Sequence, residues 1–103
     1  MQLRRVQADD ANAVDERPSV LREVVPEYPS QARRMRQEDR VLVRVVLDEQ
    51  GSPVTTLVQE ATPAGVFDQA ALGAAKRFRF LPGKIAGRRV MTAVPIPLEF
   101  TLR

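Results

Sequence analysis

A chain of 103 residues and 11.5 kDa is one domain's worth, too short for two cores of ordinary size. Its 44% hydrophobic share is enough to bury a core, so the chain as a whole is not disordered. It has no Cys and no His, which excludes disulfides, thiol redox chemistry, Cys- or His-ligated metal and imidazole-based catalysis.

Sixteen basic residues against thirteen acidic ones leave a net charge of only +3, despite a pI near 10.2. Arg accounts for fourteen of the sixteen. Arg favours bidentate contacts to phosphate and carboxylate, and it is equally what GC-rich coding produces. The densest cluster, Arg33, Arg34, Arg36 and Arg40, has Glu38 and Asp39 inside it, which weakens a phosphate-binding stripe. The longest uncharged stretch, Gln50 to Gln59, runs ten residues and contains Gly51 and Pro53. A membrane span needs about 20 apolar residues, so no segment here reads as one. The opening Met-Gln-Leu-Arg-Arg lacks the apolar run of a signal peptide.

Residues 1–17 are polar, mixed in charge and without periodicity, and read as a flexible leader or linker remnant ahead of a folded domain over 18–103. Ser19 to Val25 has the composition of a short strand. Pro29 suits the first position of a helix running to about Gln37, with Ala32 and Met35 as its inward residues. Val41 to Asp48 reads as a strand with Val41, Val43, Val45 and Leu47 on one face. A turn at Glu49–Ser52, with Gly51 supplying a positive φ, leads to a returning strand, Val54 to Glu60. Thr62-Pro63 resembles an N-cap and first helical residue. Phe67, Ala71, Ala74, Ala75 and Phe78 then recur at helical spacing, with Asp68 in the first turn and Lys76 and Arg77 in the last. Pro82-Gly83 ends the segment. In the last strand the even residues from Val90 to Leu102 are almost wholly apolar and face the core, while the odd residues face outward.

The fold class is therefore α+β: a small antiparallel sheet of three strands, four if Ser19–Val25 joins it, with two helices on one face in the order (β)αββαβ. Catalytic signals are lacking. The acidic pairs Glu38-Asp39 and Asp48-Glu49 sit where they cap or solvate elements, no glycine-rich phosphate loop occurs, and the ligand ladder of a calcium loop is absent. No catalytic, cofactor or metal residue is assigned, and a binding module rather than an enzyme is favoured. A nucleic-acid-binding α+β module is an alternative on the high pI and the Phe78-Arg79-Phe80 run, with Phe80 the one aromatic placed for exposure. The other rings occupy core positions, and no nucleic-acid partner is expected.

Taken in order, Pro26-Glu27-Tyr28-Pro29 with Ala32, the Val41–Asp48 strand with Gly51, Phe67-Asp68-Gln69-Ala70-Ala71-Leu72, Phe78-Arg79-Phe80-x-Pro82-Gly83 and Val94-Pro95-Ile96-x-Leu98-x-Phe100-x-Leu102 make a pattern. Over about residues 20–103 it resembles the C-terminal periplasmic domain of the TonB energy-transducer family. A TolA-like envelope domain is the nearest competitor. Three positions depart from the pattern. Phe78 replaces the usual Trp, Asp39 stands where a Gly commonly ends the first helix, and Gln31 stands where well-studied members carry a basic residue, with Arg33 or Arg34 as substitutes.

The resemblance implies a non-enzymatic domain without cofactors that lies in the periplasm of a Gram-negative bacterium. The full-length protein would be anchored in the inner membrane and joined to an ExbB–ExbD-type proton-driven motor through its N-terminal region. The domain would grip outer-membrane transporters for iron-siderophores or vitamin B12 by taking up their TonB-box peptide as an added strand. The contact residues expected on this reading are Tyr28, Pro29, Gln31, Arg33 and Arg34 at the first helix, and Met91, Ala93, Glu99 and Thr101 on the last strand. Pro95 and Pro97 lack an N–H and must both lie on the edge away from the neighbouring strand, so those four residues retain the outward donors. The same edge offers a route to a homodimer.

Overall fold

The computed structural model describes residues 9–61 and 65–102. The expected Thr62-Pro63 cap and the first eight residues lie outside that range. In chain order the elements are β1 (Asp9–Asp10), β2 (Ser19–Arg22), α1 (Ser30–Arg34), β3 (Asp39–Leu47), β4 (Pro53–Glu60), α2 (Asp68–Ala75), β5 (Arg79–Leu81), β6 (Lys84–Ile85), β7 (Arg88–Arg89) and β8 (Thr92–Phe100).

The main sheet runs β1-β8-β3-β4, with β3 antiparallel to both neighbours and β1 parallel to β8. Its centre follows the period-2 pattern of the sequence. Val41, Val43 and Val45 stand opposite Leu98, Ile96 and Val94, so both apolar sets reach one face. Ala32 of α1 and Ala71, Ala74 and Ala75 of α2 close over that face, with Phe67, Phe78, Phe80 and Phe100 filling the layer between. Each large side chain buried there contributes about 1.5–3 kcal/mol of transfer free energy. The expectation of a mixed fold with two helices against a sheet is met.

The β3–β4 turn forms as its sequence dictates. Asp48 Oδ1 accepts from the N–H groups of Gln50 and Ser52, each at 2.9 Å, and Gly51 adopts φ +84°. Gly51 is doubly required. A Cβ there would stand 1.7 Å from the Phe80 carbonyl oxygen, and the Gly51 carbonyl accepts from Phe80 N–H at 3.1 Å.

Several boundaries differ from expectation. Helix α1 stops at Arg34 rather than near Gln37: Arg36 takes φ +53°, and the N–H groups of Arg36 and Gln37 turn back to the carbonyls of Arg33 and Ala32. Ala32 is its one buried residue, and Met35, expected to face inward, is 63% exposed. With so narrow an apolar face the helix gains too little from packing to extend. Helix α2 ends at Ala75, so Lys76 caps it and Arg77 follows it rather than filling its last turn. The early strand is only Ser19–Arg22 and pairs with β5, not with the main sheet. That pairing carries Phe80 inward, where it is 2% exposed beside Phe78, so neither ring is available to stack on a base. The β6–β7 hairpin, turned by Ala86 and Gly87 at positive φ, had no forecast.

The largest departure concerns residues 9–17, expected to be flexible. Asp9 N–H donates to the Met91 carbonyl and Ala11 N–H to the Ala93 carbonyl, both at 3.0 Å. Ala11 and Val14 are buried, and Asp15 and Glu16 bond through their main chain to Lys84. The sheet edge and the β6–β7 hairpin supply the partners that the segment's own composition does not.

Candidate partner-docking edge

The outer edge of β8 begins with the direction of its main-chain groups. Because the carbonyls of Met91 and Ala93 accept from β1, the odd residues of this strand turn their main chain away from β3. Pro95 and Pro97 fall in the odd set and are exposed, so the two missing donors lie on the outer edge and cost the β3 ladder nothing. This agrees with the expected geometry. The inward-turned residues Val94, Ile96, Leu98 and Phe100 carry the pairing to β3.

The four expected strand contacts separate into two ends. At the first, Met91 and Ala93 are not open. Their carbonyls are taken by β1, the register turns the Ala93 N–H toward the Asp9 carbonyl, and Ala93 is only 6% exposed. Met91 precedes β8, which starts at Thr92 rather than Val90. At the other end, Glu99 and Thr101 are exposed, beyond the reach of β1. The ends stand about 26 Å apart along the strand.

Tyr28 belongs to the Glu99–Thr101 end. Its ring meets Phe67 and Phe100 edge-on, with centroids at 5.7 and 5.8 Å, and its hydroxyl donates to the Gln37 carbonyl. The Arg33 guanidinium sits 5.0 Å from the ring centroid, a cation–π contact. Burial raises the phenol above its ordinary pKa, the Glu38 charge adds to the rise and Arg33 opposes it. Glu38 also accepts from Leu102 N–H, tying the end of the last strand to the start of β3. Tyr28 is thus a half-buried wedge under this corner. Pro29 separates two shallow grooves, one lined by Glu27, Tyr28, Ser30 and Gln69, the other by Gln31, Met35 and Gln37. Gln31, Arg33 and Arg34 are exposed on α1. The structure therefore brings Tyr28, Pro29, Gln31 and Arg33 to one corner with Phe100, and leaves Met91 and Ala93 at the far end.

Sequence reasoning missed β1 and its anchors. The sequence carries no signal for them: the notch at Gly83, where a Cβ would stand 2.8 Å from Thr92 Oγ1 and 3.0 Å from Val14 Cγ2, exists only in the fold. A buried glycine beside a strand start marks a close approach by another segment.

The family described as Gram-negative bacterial TonB protein C-terminal matches residues 24–102. The chain belongs to this family. Protein tonB2 of Pseudomonas aeruginosa is 38% identical over 82 residues, covering 80% of this chain and 30% of the relative. Protein TonB of Vibrio cholerae serotype O1 is 33% identical over 89 residues, covering 86% of this chain and 36% of the relative. The chain thus spans about a third of the length of these curated relatives. The solution NMR structure of the Pseudomonas aeruginosa TonB C-terminal domain matches with a TM-score of 0.62 at 23% identity, covering 95% of this chain and 99% of that one. At that identity the match bears on the fold, and it is the mixed α+β fold described above.

Proposed function

We propose that this domain acts in the periplasm as the gripping end of a TonB-type energy transducer, docking outer-membrane transporters through their TonB-box segment. Transduction of proton-motive force would reach it through an inner-membrane anchor and an ExbB–ExbD-type motor, and the clients would be siderophore or vitamin transporters. The observation that carries the docking mode is the outer edge of β8. Beyond the reach of β1 it presents the exposed Glu99 and Thr101 and the carbonyls of Pro95 and Pro97, next to the Tyr28–Arg33 corner. A transporter segment added there would gain main-chain bonds from the strand and side-chain contacts from Tyr28, Pro29, Gln31, Arg33 and Arg34. Few donors at roughly 0.5–1.5 kcal/mol each make an isolated peptide a weak, micromolar or poorer ligand. Titration of the labelled chain with a TonB-box peptide should move the amides of Glu99 and Thr101 first. Changes confined to Val41–Glu60, with the last strand silent, would place the partner elsewhere.

A further inference from the structure

β1 lies in the lane that an added strand would use. It hydrogen-bonds to the outward groups of Met91 and Ala93, two of the four residues that give this edge its donors. The docking is built rather than grazing. Ala11 and Val14 are buried, and Val14 fills the notch that Gly83 leaves open beside Thr92. Asp15 Oδ2 accepts from Ala86 N–H at 2.6 Å, and Asp15 and Glu16 are bonded to Lys84. The segment turns off the edge at once after Ala11, where Asp10 accepts from the N–H groups of Asn12 and Ala13. The next outward residue on β8 is Pro95, which could donate nothing. β1 therefore occupies the carbonyls of Met91 and Ala93 and, by register, the Ala93 N–H, and stops where donors run out.

We infer that residues 9–16 mask the first end of the docking edge in cis, and that an incoming transporter strand displaces them. The inference rests on the docking reading proposed above. With β1 in place a partner reaches only the Glu99 and Thr101 donors. With β1 displaced it also reaches Met91 and Ala93, and the strand direction that this end accepts is shown by β1 itself, parallel to β8. A tethered segment acts at an effective concentration in the millimolar range, enough to hold a weakly bound strand in place without closing the edge permanently. If the first end is free about a tenth to a fifth of the time, unmasking strengthens partner binding by about five- to tenfold.

The test uses the full chain and the variant D9P/A11P, which removes both N–H groups that β1 donates to the edge. A TonB-box peptide should bind the variant about five- to tenfold more tightly, with new amide shifts at Met91 and Ala93 and unchanged dispersion for β3 and β4. A millimolar peptide of residues 9–16, added in trans, should return both the shifts and the affinity to those of the parent. Should the two prolines disturb β8 itself, D15A loosens the same segment at its far anchor and should move the affinity in the same direction. Equal affinity for parent and variant overturns the masking and leaves the docking reading standing. No binding of the TonB-box peptide to either chain overturns the docking reading, and the masking with it.

Discussion

The two edges of the main sheet solve one problem in different ways. An open strand edge invites pairing with any passing strand. At β4 the protection is bending. The register against β3 slips between Leu42 and Val43 and again between Val46 and Leu47, and each slip twists the edge and interrupts its row of donors. Between the slips, Arg44 and Val46 turn their main chain toward Leu57 and Thr55, which leaves Thr56 and Val58 directed outward. At β8 the strand keeps one register against β3 from Asp39 opposite Phe100 to Leu47 opposite Thr92. Protection there comes from Pro95 and Pro97, which delete donors at the centre, and from β1, which covers one end. Bending destroys an edge as a pairing template, whereas two prolines and a two-residue covering strand restrict it while keeping it straight. Of the two, the β8 edge is the one that keeps a straight template.

The two edges also rest on different amounts of core. Phe100 is 1% exposed and stacks on Phe67 at a centroid distance of 4.6 Å, whereas Val58 under β4 is only half-buried. Phe100→Ala should cost about 3–5 kcal/mol in denaturant unfolding. Val58→Ala should cost about 1 kcal/mol. Similar losses would mean that the β8 edge is not the more firmly supported one.

Gly51→Ala probes how the β3–β4 hairpin is tied to the β2–β5 layer. The new Cβ would collide with the Phe80 carbonyl at a positive-φ position, and a loss of about 2–4 kcal/mol in thermal or denaturant unfolding is expected. A near-neutral result would show that the hairpin tip stands free of Phe80.

Tyr28→Phe tests the corner next to the open end of β8. Loss of the hydroxyl bond to the Gln37 carbonyl should lower stability modestly at neutral pH, by less than Phe100→Ala or Gly51→Ala. Because the folded phenol titrates above its ordinary value of 10.0, the fold retains a proton that the unfolded chain gives up. That contribution is complete below pH 10.0 and is lost as pH rises through the folded value. The stability of the parent should therefore fall toward that of Tyr28→Phe above pH 10.0, and parallel curves would refute the account.

The smallest effect on stability and the sharpest on behaviour should come from P95A/P97A. Unfolding free energy should change by no more than about 0.5 kcal/mol, since neither ring serves the β3 ladder. With donors restored along its centre, the straight edge should self-associate about tenfold more tightly in a light-scattering concentration series. The same mass for parent and variant across the series would show that the prolines do not limit pairing at this edge.

Local chemistry and residue period suffice for the central pattern of this fold. Alternation placed Val41, Val43, Val45, Ile96, Leu98 and Phe100 on one face, helical spacing placed Phe67, Ala71 and Ala74 against it, and Asp48 with Gly51 specified the hairpin turn. The missing N–H of Pro95 and Pro97 even chose which edge of the last strand lies open, because a lost donor is tolerable only where no ladder needs it. The family was legible in the order of these segments. Segments whose partner is distant and whose own sequence is neutral took their places only through long-range packing. Residues 9–17 carry no periodicity, yet Ala11 and Val14 are buried because an edge and a glycine notch happen to receive them. Ser19–Arg22 left the main sheet for β5, and Phe80 turned inward, through a pairing some 60 residues apart in the chain. Met35, at the C-cap of α1, faces solvent although its spacing from Ala32 suits an inward position. A strand on an edge takes its hydrogen bonds from its neighbour rather than from its own composition, so the occupant of the outer edge of β8 became visible only once the chain was folded.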